Sequence, residues 1–319
     1  MRPLICGLLA ILAGSVPAGA QEWPTKPVRI VVPFGAGSTP DIIMRLIADR
    51  LQATSKQTIV IENRPGASGN TGTDLVAKAA PDGTTVGISI LGPLGLNTLL
   101  FARMPYDPFN DLALVTRLTD QPSVLAVNAG VPAKTTAELV ALLKREPGKF
   151  NFGSIGNGSL SHLAMEAIAM ASGTTIVHIP YAGSPQAVTA LMRGDVQMVC
   201  LPAISVVSQA KTGKLRMLAV TSPKRSALLP DLPTLREGGI DVEANAWNGL
   251  VAPGKTPEPV VAAIARAVNE TLRDPGIRAK LGAQMMEPIG TSPAEFRAFR
   301  DAEMKRWTPV VKAAGIKPN

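Results

Sequence analysis

The sequence predicts an α/β protein of two lobes, each a mostly parallel sheet flanked by helices. Three observations carry this. At 319 residues the chain exceeds one ordinary core, so two domains of roughly 100–200 residues each are expected. Strand, glycine turn and helix follow one another three times in the first stretch of the chain, which reads as a parallel sheet covered on its faces. The alternation then breaks off and restarts at Ser123.

Val28 to Pro33 is a β-rich run closed by the turn Gly35 to Thr39, and Ile43, Leu46, Ile47 and Leu51 then recur at helical spacing. Thr58 to Glu62 is the second strand, followed by a glycine turn over 63–69 and a helix through Ala80. Thr84 to Leu91 is the third, closed by Gly92-Pro93-Leu94-Gly95. Right-handed crossovers place all three glycine turns at one edge of the sheet. After the break, Ser123 to Asn128 is a strand, Ala137 to Arg145 a helix and Phe150 to Ser154 a strand that runs into Gly156-Asn157-Gly158-Ser159. A helix from Leu160 to Ala171 follows, then strands at Thr175 to Ile179, Gln197 to Cys200 and Leu215 to Val220. Pro230, Pro233, Gly238 and Gly239 punctuate a loop; Ala246 to Ala252 reads as a last crossing strand, and helices at Pro257 to Arg273 and Ser292 to Ala314 close the chain.

The first twenty residues read as a secretory leader. Arg2 supplies the charge, Leu4 to Ala13 a short apolar run, and Ala18-Gly19-Ala20 the small residues before a cut after Ala20. The run is too short for a permanent span, which needs about 20 residues. Loss of Cys6 with the leader leaves Cys200 without a disulfide partner. The composition, 46% hydrophobic and 18% charged, excludes a disordered chain. Two cysteines and two histidines exclude a cysteine-rich metal site and a three-histidine zinc site. The net charge of +8 is spread without runs or interleaved aromatics, so no nucleic-acid partner is expected; it suits solubility or encounter with small anions.

The chemistry on offer lies in glycine turns at helix starts. In Phe34-Gly35-Ala36-Gly37-Ser38-Thr39-Pro40-Asp41 the backbone can approach a ligand closely, and the first N–H groups of the helix point outward. With the positive end of the helix they make an anion site. Ser38 and Thr39 add hydroxyls; Asp41 suits capping or holding the loop, or pairing with an ammonium group. The segment from Gly153 to His162 repeats the design, with Ser159 or Ser161 as cap or donor. Neither turn completes a dinucleotide fingerprint or a P-loop, and each alone is as well read as a tight turn; their pairing, one per lobe, favours anion cradles. No Gly-x-Ser-x-Gly elbow appears. Ser159 and His162 lie close enough for a hydrolase pair, yet a histidine there more often caps, His178 reads as packed in its strand and Cys200 as a buried inert thiol.

The run Trp23-Pro24 to Phe34, the segment Val60-Ile61-Glu62-Asn63-Arg64-Pro65-Gly66-Ala67, and Ala80-Pro81-Asp82-Gly83 resemble the Bug proteins, the substrate-binding proteins of tripartite tricarboxylate transporters. Pro105-Tyr106-Asp107-Pro108, the second glycine turn, His178-Ile179-Pro180-Tyr181, the block from Gly213 to Thr221, and Leu232-Pro233-Thr234 follow in the family's order, across essentially the whole mature chain. The resemblance implies a periplasmic clamshell of the periplasmic-binding-protein type, closing on a small carboxylate, with 21–122 plus 247–319 as one domain and 123–246 as the other. It implies a monomer without cofactor or metal that hands its ligand to membrane transporter subunits; a receptor feeding a signalling partner shares every binding feature. The expected binding residues are Phe34, Gly35, Ala36, Gly37, Ser38 and Asp41 from the first loop and Gly92 from the third turn. Facing them are Ser154, Gly158, Ser159, Ser161, Tyr181 and Gly183. The chain departs from the family where Gly35-Ala36-Gly37-Ser38 replaces Pro-Pro-Gly-Gly, Ala182 replaces a lysine and Leu160 replaces a small hydroxyl residue. Fewer cationic and hydroxyl groups point to a monocarboxylate or a partly apolar ligand rather than citrate.

Overall fold

A computed structural model describes residues 22–156, 158–181 and 183–315; the expected leader, with its cut after Ala20, lies outside the described residues, as do Asn157 and Ala182. The chain begins with β1 (Val28–Val32), α1 (Thr39–Ser55), β2 (Ile59–Asn63), α2 (Asn70–Ala77) and β3 (Thr85–Ser89). An irregular turn (Gly92–Leu96) and the short α3 (Asn97–Leu100) lead to β4 (Leu112–Gln121). Next come β5 (Ser123–Asn128), α4 (Thr136–Arg145), β6 (Asn151–Ser154), α5 (Leu160–Ser172), β7 (Val177–Pro180) and α6 (Ser184–Arg193). Then β8 (Met198–Pro202), α7 (Ala203–Ala210) and β9 (Leu215–Val220) complete the second lobe, and β10 (Ala246–Pro253), α8 (Glu258–Arg273), α9 (Pro275–Ala283), β11 (Glu287–Pro288) and α10 (Pro293–Ala313) return to the first.

The two sheets run β11-β4-β10-β3-β1-β2 and β7-β6-β8-β5-β9. In the first, β2, β1, β3 and β4 share one direction while β10 and β11 oppose them. In the second, β7, β6, β8 and β9 share a direction and only β5 opposes. The reversed strands have one cause. Only Pro122 separates β4 from β5, too short a link to turn back into the same sheet, so the chain runs straight on and enters the second sheet from the end where its parallel strands finish. The return through 221–245 does the same to β10. The finishing ends of both parallel sets therefore face each other, and so do the loops that follow β1, β3 and β6; open α/β sheets bind ligands at that edge.

The two crossings lie side by side. Ala246 pairs with Gln121, the Ala244 N–H donates to the Thr221 carbonyl at 3.1 Å, and the Thr221 hydroxyl accepts the Ser123 N–H at 3.2 Å. Alternation along the strands sorts the core. On β5, Val124 and Ala126 join the cluster under α6 and α7, while Leu125 and Val127 face the opposite way. That second cluster is continuous between lobes, running from Phe152, Leu163 and Ile168 to Trp247, Phe296 and Trp307. The break in the sequence pattern contains β4, ten residues long. Two of its polar residues meet distant partners: the Thr116 hydroxyl donates to Asn269 Oδ1 at 2.8 Å, and the Arg117 guanidinium lies 3.9 Å from the Phe299 ring centroid.

Asp120 sits where the crossings meet, opposite Trp247 on β10 and Glu287 on β11. Burial pushes its carboxyl up to about 6, with Glu287 and Glu303 acting in the same sense and Arg117 against them. A carboxyl whose folded value is raised stabilises the fold most while both states hold the proton, and that contribution fades as pH rises from about 4 through about 6. We expect the stability difference between the parent and Asp120→Asn, read from urea melts, to move against the parent across this window. At pH 7.5 the Asn variant is expected to be at least as stable.

Candidate functional site

A cavity of about 550 Å³ lies between the facing edges. The first lobe contributes Phe34, Ser38, Thr39, Pro40, Gly92 and Leu100; the crossings contribute Gln121, Ser123, Trp247 and Asn248; the second lobe contributes Ile155, Gly158, Ser159, Leu160, Ser161 and Leu163. No Asp, Glu, Lys, Arg or His is among the described residues that line it.

The first loop is held from behind. Asp41 is 2% exposed and accepts the Gly37 N–H at 2.8 Å, the Arg45 Nε at 2.9 Å and the Asn63 side-chain amide at 2.9 Å. Burial alone would raise its carboxyl, but these partners outweigh it and hold it at about 2. Asp41 is thus a brace standing off the cavity wall, where Gly35, Ala36 and Gly37 also lie exposed and outside the lining. Gly37 has φ of 78°, the left-handed region that glycine fills without strain. Ser38 is the N-cap of α1, yet its side chain makes no capping hydrogen bond, and its hydroxyl is buried without a partner among the described residues. Ile42 donates to the Ser38 carbonyl and Pro40 has no N–H, which leaves the amides of Thr39 and Asp41 as the orphan donors of this helix start.

The second loop is braced in the same manner. Ser159 caps α5 by accepting the His162 N–H at 3.3 Å, Ser161 Oγ accepts the Ile155 N–H at 3.0 Å, and the Ser159 hydroxyl donates to the Gly156 carbonyl at 2.7 Å. The Leu160 and Ser161 amides of the first turn have no acceptor among the described residues. Two helices, 17 and 13 residues long, thus bring orphan amides and the positive ends of their dipoles to one cavity.

Of the residues expected from sequence, Phe34, Ser38, Gly92, Gly158, Ser159 and Ser161 come together on the cavity wall. Ser154 is fully buried behind the second loop, 2.6 Å from His178 Nε2. Tyr181 pins the end of β6, its N–H donating to the Ser154 carbonyl, and Gly183 precedes α6; neither lines the cavity. Cys200 does line it, 1% exposed, its thiol pushed up to about 12 by burial. Ser159 and His162 form no nucleophile–base pair, because His162 Nδ1 accepts the Gly158 N–H at 3.1 Å.

Sequence reasoning missed the floor of the cavity. Gln121 and Asn248 are 2% and 3% exposed, and Gln121 Nε2 and Asn248 Oδ1 have no hydrogen-bond partner among the described residues. The signal for them was the crossings themselves, since Gln121 and Asn248 sit beside the expected domain limits.

Gly158 meets the other lobe along the cavity wall. At φ of 70° it packs on the other lobe, and a Cβ added there would fall 2.7 Å from Leu100 Cδ1. Gly158→Ala is expected to cost about 1–2 kcal/mol for the left-handed backbone, with the Leu100 side chain shifting to admit the methyl. Urea melts should show that loss, and Leu100→Ala in the same chain should not recover it.

The family described as tripartite tricarboxylate transporter family receptor matches residues 43–316. The chain is 33% identical over 316 residues to protein BugT of Bordetella pertussis, with 98% of this chain and 97% of that one covered. Among solved structures it is similar to an R. palustris protein determined with adipate, at 35% identity and a TM-score of 0.81, covering 93% of this chain and all of the other. It is also similar to MatC from Rhodopseudomonas palustris with bound malate, at 31% identity and a TM-score of 0.75, covering 91% of this chain and 100% of that one.

Proposed function

The chain belongs to the tripartite tricarboxylate transporter receptor family, and on that premise we propose that it captures a small organic acid with an apolar body between its lobes and delivers it to membrane subunits of a transporter. The observation that carries this is a cavity with orphan amides at two helix starts and no charged side chain on its described walls. Each helix end is worth about half a positive charge, so the pair matches a single carboxylate. Leu100, Leu163 and Trp247 give the rest of the ligand an apolar surface, and Gln121 Nε2 and Asn248 Oδ1 offer a donor and an acceptor to a polar group at the floor. A compact, highly charged acid would leave ionised oxygens buried without counter-charges, which is strongly unfavourable.

The adipate held by the R. palustris relative, a diacid with four methylenes between its carboxylates, fits this preference better than the malate of MatC. The working place is the periplasm, reached by a leader cut after Ala20, and the working form a monomer. The domains are 21–122 with 247–319, and 123–246, turning about the paired crossings. Ser154, Tyr181 and Gly183 then act behind the second cradle, while Phe34, Ser38, Gly92, Gly158, Ser159 and Ser161 face the ligand.

A thermal-shift panel of hexanoate, adipate, malate and citrate tests the reading. A ligand at a hundred times its Kd stabilises the folded chain by about 2.7 kcal/mol. Hexanoate and adipate should raise the melting temperature more than malate and citrate; citrate ahead of both would refute the apolar-body assignment. Ser38→Ala should melt with the parent, since the Ser38 hydroxyl has no hydrogen-bond partner among the described residues, and should bind the best acid about tenfold more weakly, as expected for a lost hydrogen bond to a charged group.

A further inference from the structure

Behind the second cradle lies a pair of imidazoles that capture itself does not employ. His162, 5% exposed, stacks face to face on His178 with ring centroids 3.7 Å apart and an interplanar angle of 11°. His178 stacks in turn on Phe152 at 4.9 Å. Each imidazole serves one glycine of the loop. His162 Nδ1 accepts the Gly158 N–H at 3.1 Å. His178 Nε2 lies 2.6 Å from Ser154 Oγ, which itself accepts the Gly156 N–H at 3.1 Å.

We propose that His162 is a positioning residue for the second cradle: its unprotonated Nδ1 fixes Gly158, and a proton on that nitrogen releases the loop. Accepting the Gly158 N–H requires the tautomer with the proton on Nε2. That nitrogen faces Glu166 Oε1 at 3.5 Å, one turn along α5. A second proton can enter only at Nδ1, turning the acceptor into a donor aimed at another donor. The hydrogen bond is then lost, and Gly158 leaves its seat against Leu100.

The charged and titratable groups recorded against His162 are Glu166 from its own helix and His178 from β7; β6 presents the uncharged Phe152 ring. His178 cannot share the charge, because its burial and the neighbouring His162 hold it down at about 4. The proton therefore acts at His162, whose partner Gly158 lines the cavity beside Leu100. The consequence for capture, weaker binding in acid, rests on the transport reading; the link between imidazole and loop does not.

The experiment is a pH titration of the ligand-free mature chain by ¹H–¹⁵N NMR, joined to adipate binding by calorimetry. In the parent, the His162 ring nitrogens should report the Nε2–H tautomer at neutral pH. The Gly158 amide should be protected from exchange there and lose that protection with the same midpoint at which His162 gains its proton. His162→Asn places a side-chain carbonyl where Nδ1 stood; it should keep the Gly158 amide protected from pH 8 to pH 5, bind adipate within about threefold of the parent at neutral pH, and hold that affinity in acid, where the parent weakens. His162→Phe keeps the stack and removes the acceptor. It should lose Gly158 protection at neutral pH and at least tenfold in adipate affinity, with a melting temperature close to the parent's. A Gly158 amide indifferent to the His162 titration, or a Phe variant with parent-like protection, would overturn the proposal. If adipate fails to bind any of the three chains, its place in the transport reading falls, and the Gly158 titration still decides the role of His162.

Discussion

A single-residue link governs this architecture. Because only Pro122 stands between β4 and β5, the chain cannot fold back at the edge of the first sheet and must pass directly into the second. That passage turns β5 against its neighbours, and the return through β10 does the same to the first sheet. Two parallel sets then meet finishing end to finishing end. Helix starts follow such strands, so orphan amides face one another across the gap without any side chain being recruited for the purpose. The glycine loops, the braces behind them and the cavity are consequences of this meeting.

Both loops spend their side chains on themselves. Asp41, Arg45 and Asn63 hold the first; Ser154, Ser159, Ser161, His162 and His178 hold the second. What remains for a ligand is chiefly backbone, with Ser38 Oγ, Gln121 Nε2 and Asn248 Oδ1 as the buried side-chain atoms lacking a partner on the described wall. Bracing of this kind lowers the freedom a loop has to lose on binding, which favours affinity without ion pairs.

The legible part of the fold is the part whose signals are local. β1 is a short β-branched run closed by a turn, β5 an apolar run that starts after Pro122, and α1 and α5 follow glycine loops with periodic apolar residues; all four lie where the pattern puts them. β4 is hidden because Thr116 and Arg117 are completed by Asn269 and Phe299, contacts that no local window contains. α6 carries a start and a stop, Pro185 in its first turn and Gly194 in the left-handed conformation after it, but ten residues between turns blur into their flanks. The site divides along the same line. The cradles are visible as glycine turns before helices, whereas Gln121 and Asn248 become neighbours of a cavity only once the two crossings lie side by side. Asp41 shows the ambiguity of a carboxylate beside a glycine loop: the residues that satisfy it lie on its own loop, its own helix and the next strand.

The absence of charged side chains from the described cavity wall reaches beyond selectivity. Dipoles attract an anion yet carry no monopole, so no side-chain charge on the described wall neutralises it locally. A chain of net charge +8 that takes up an anion becomes less positive by the full charge of that anion. Filled and empty forms thus differ in electrophoretic mobility and in the far field they present.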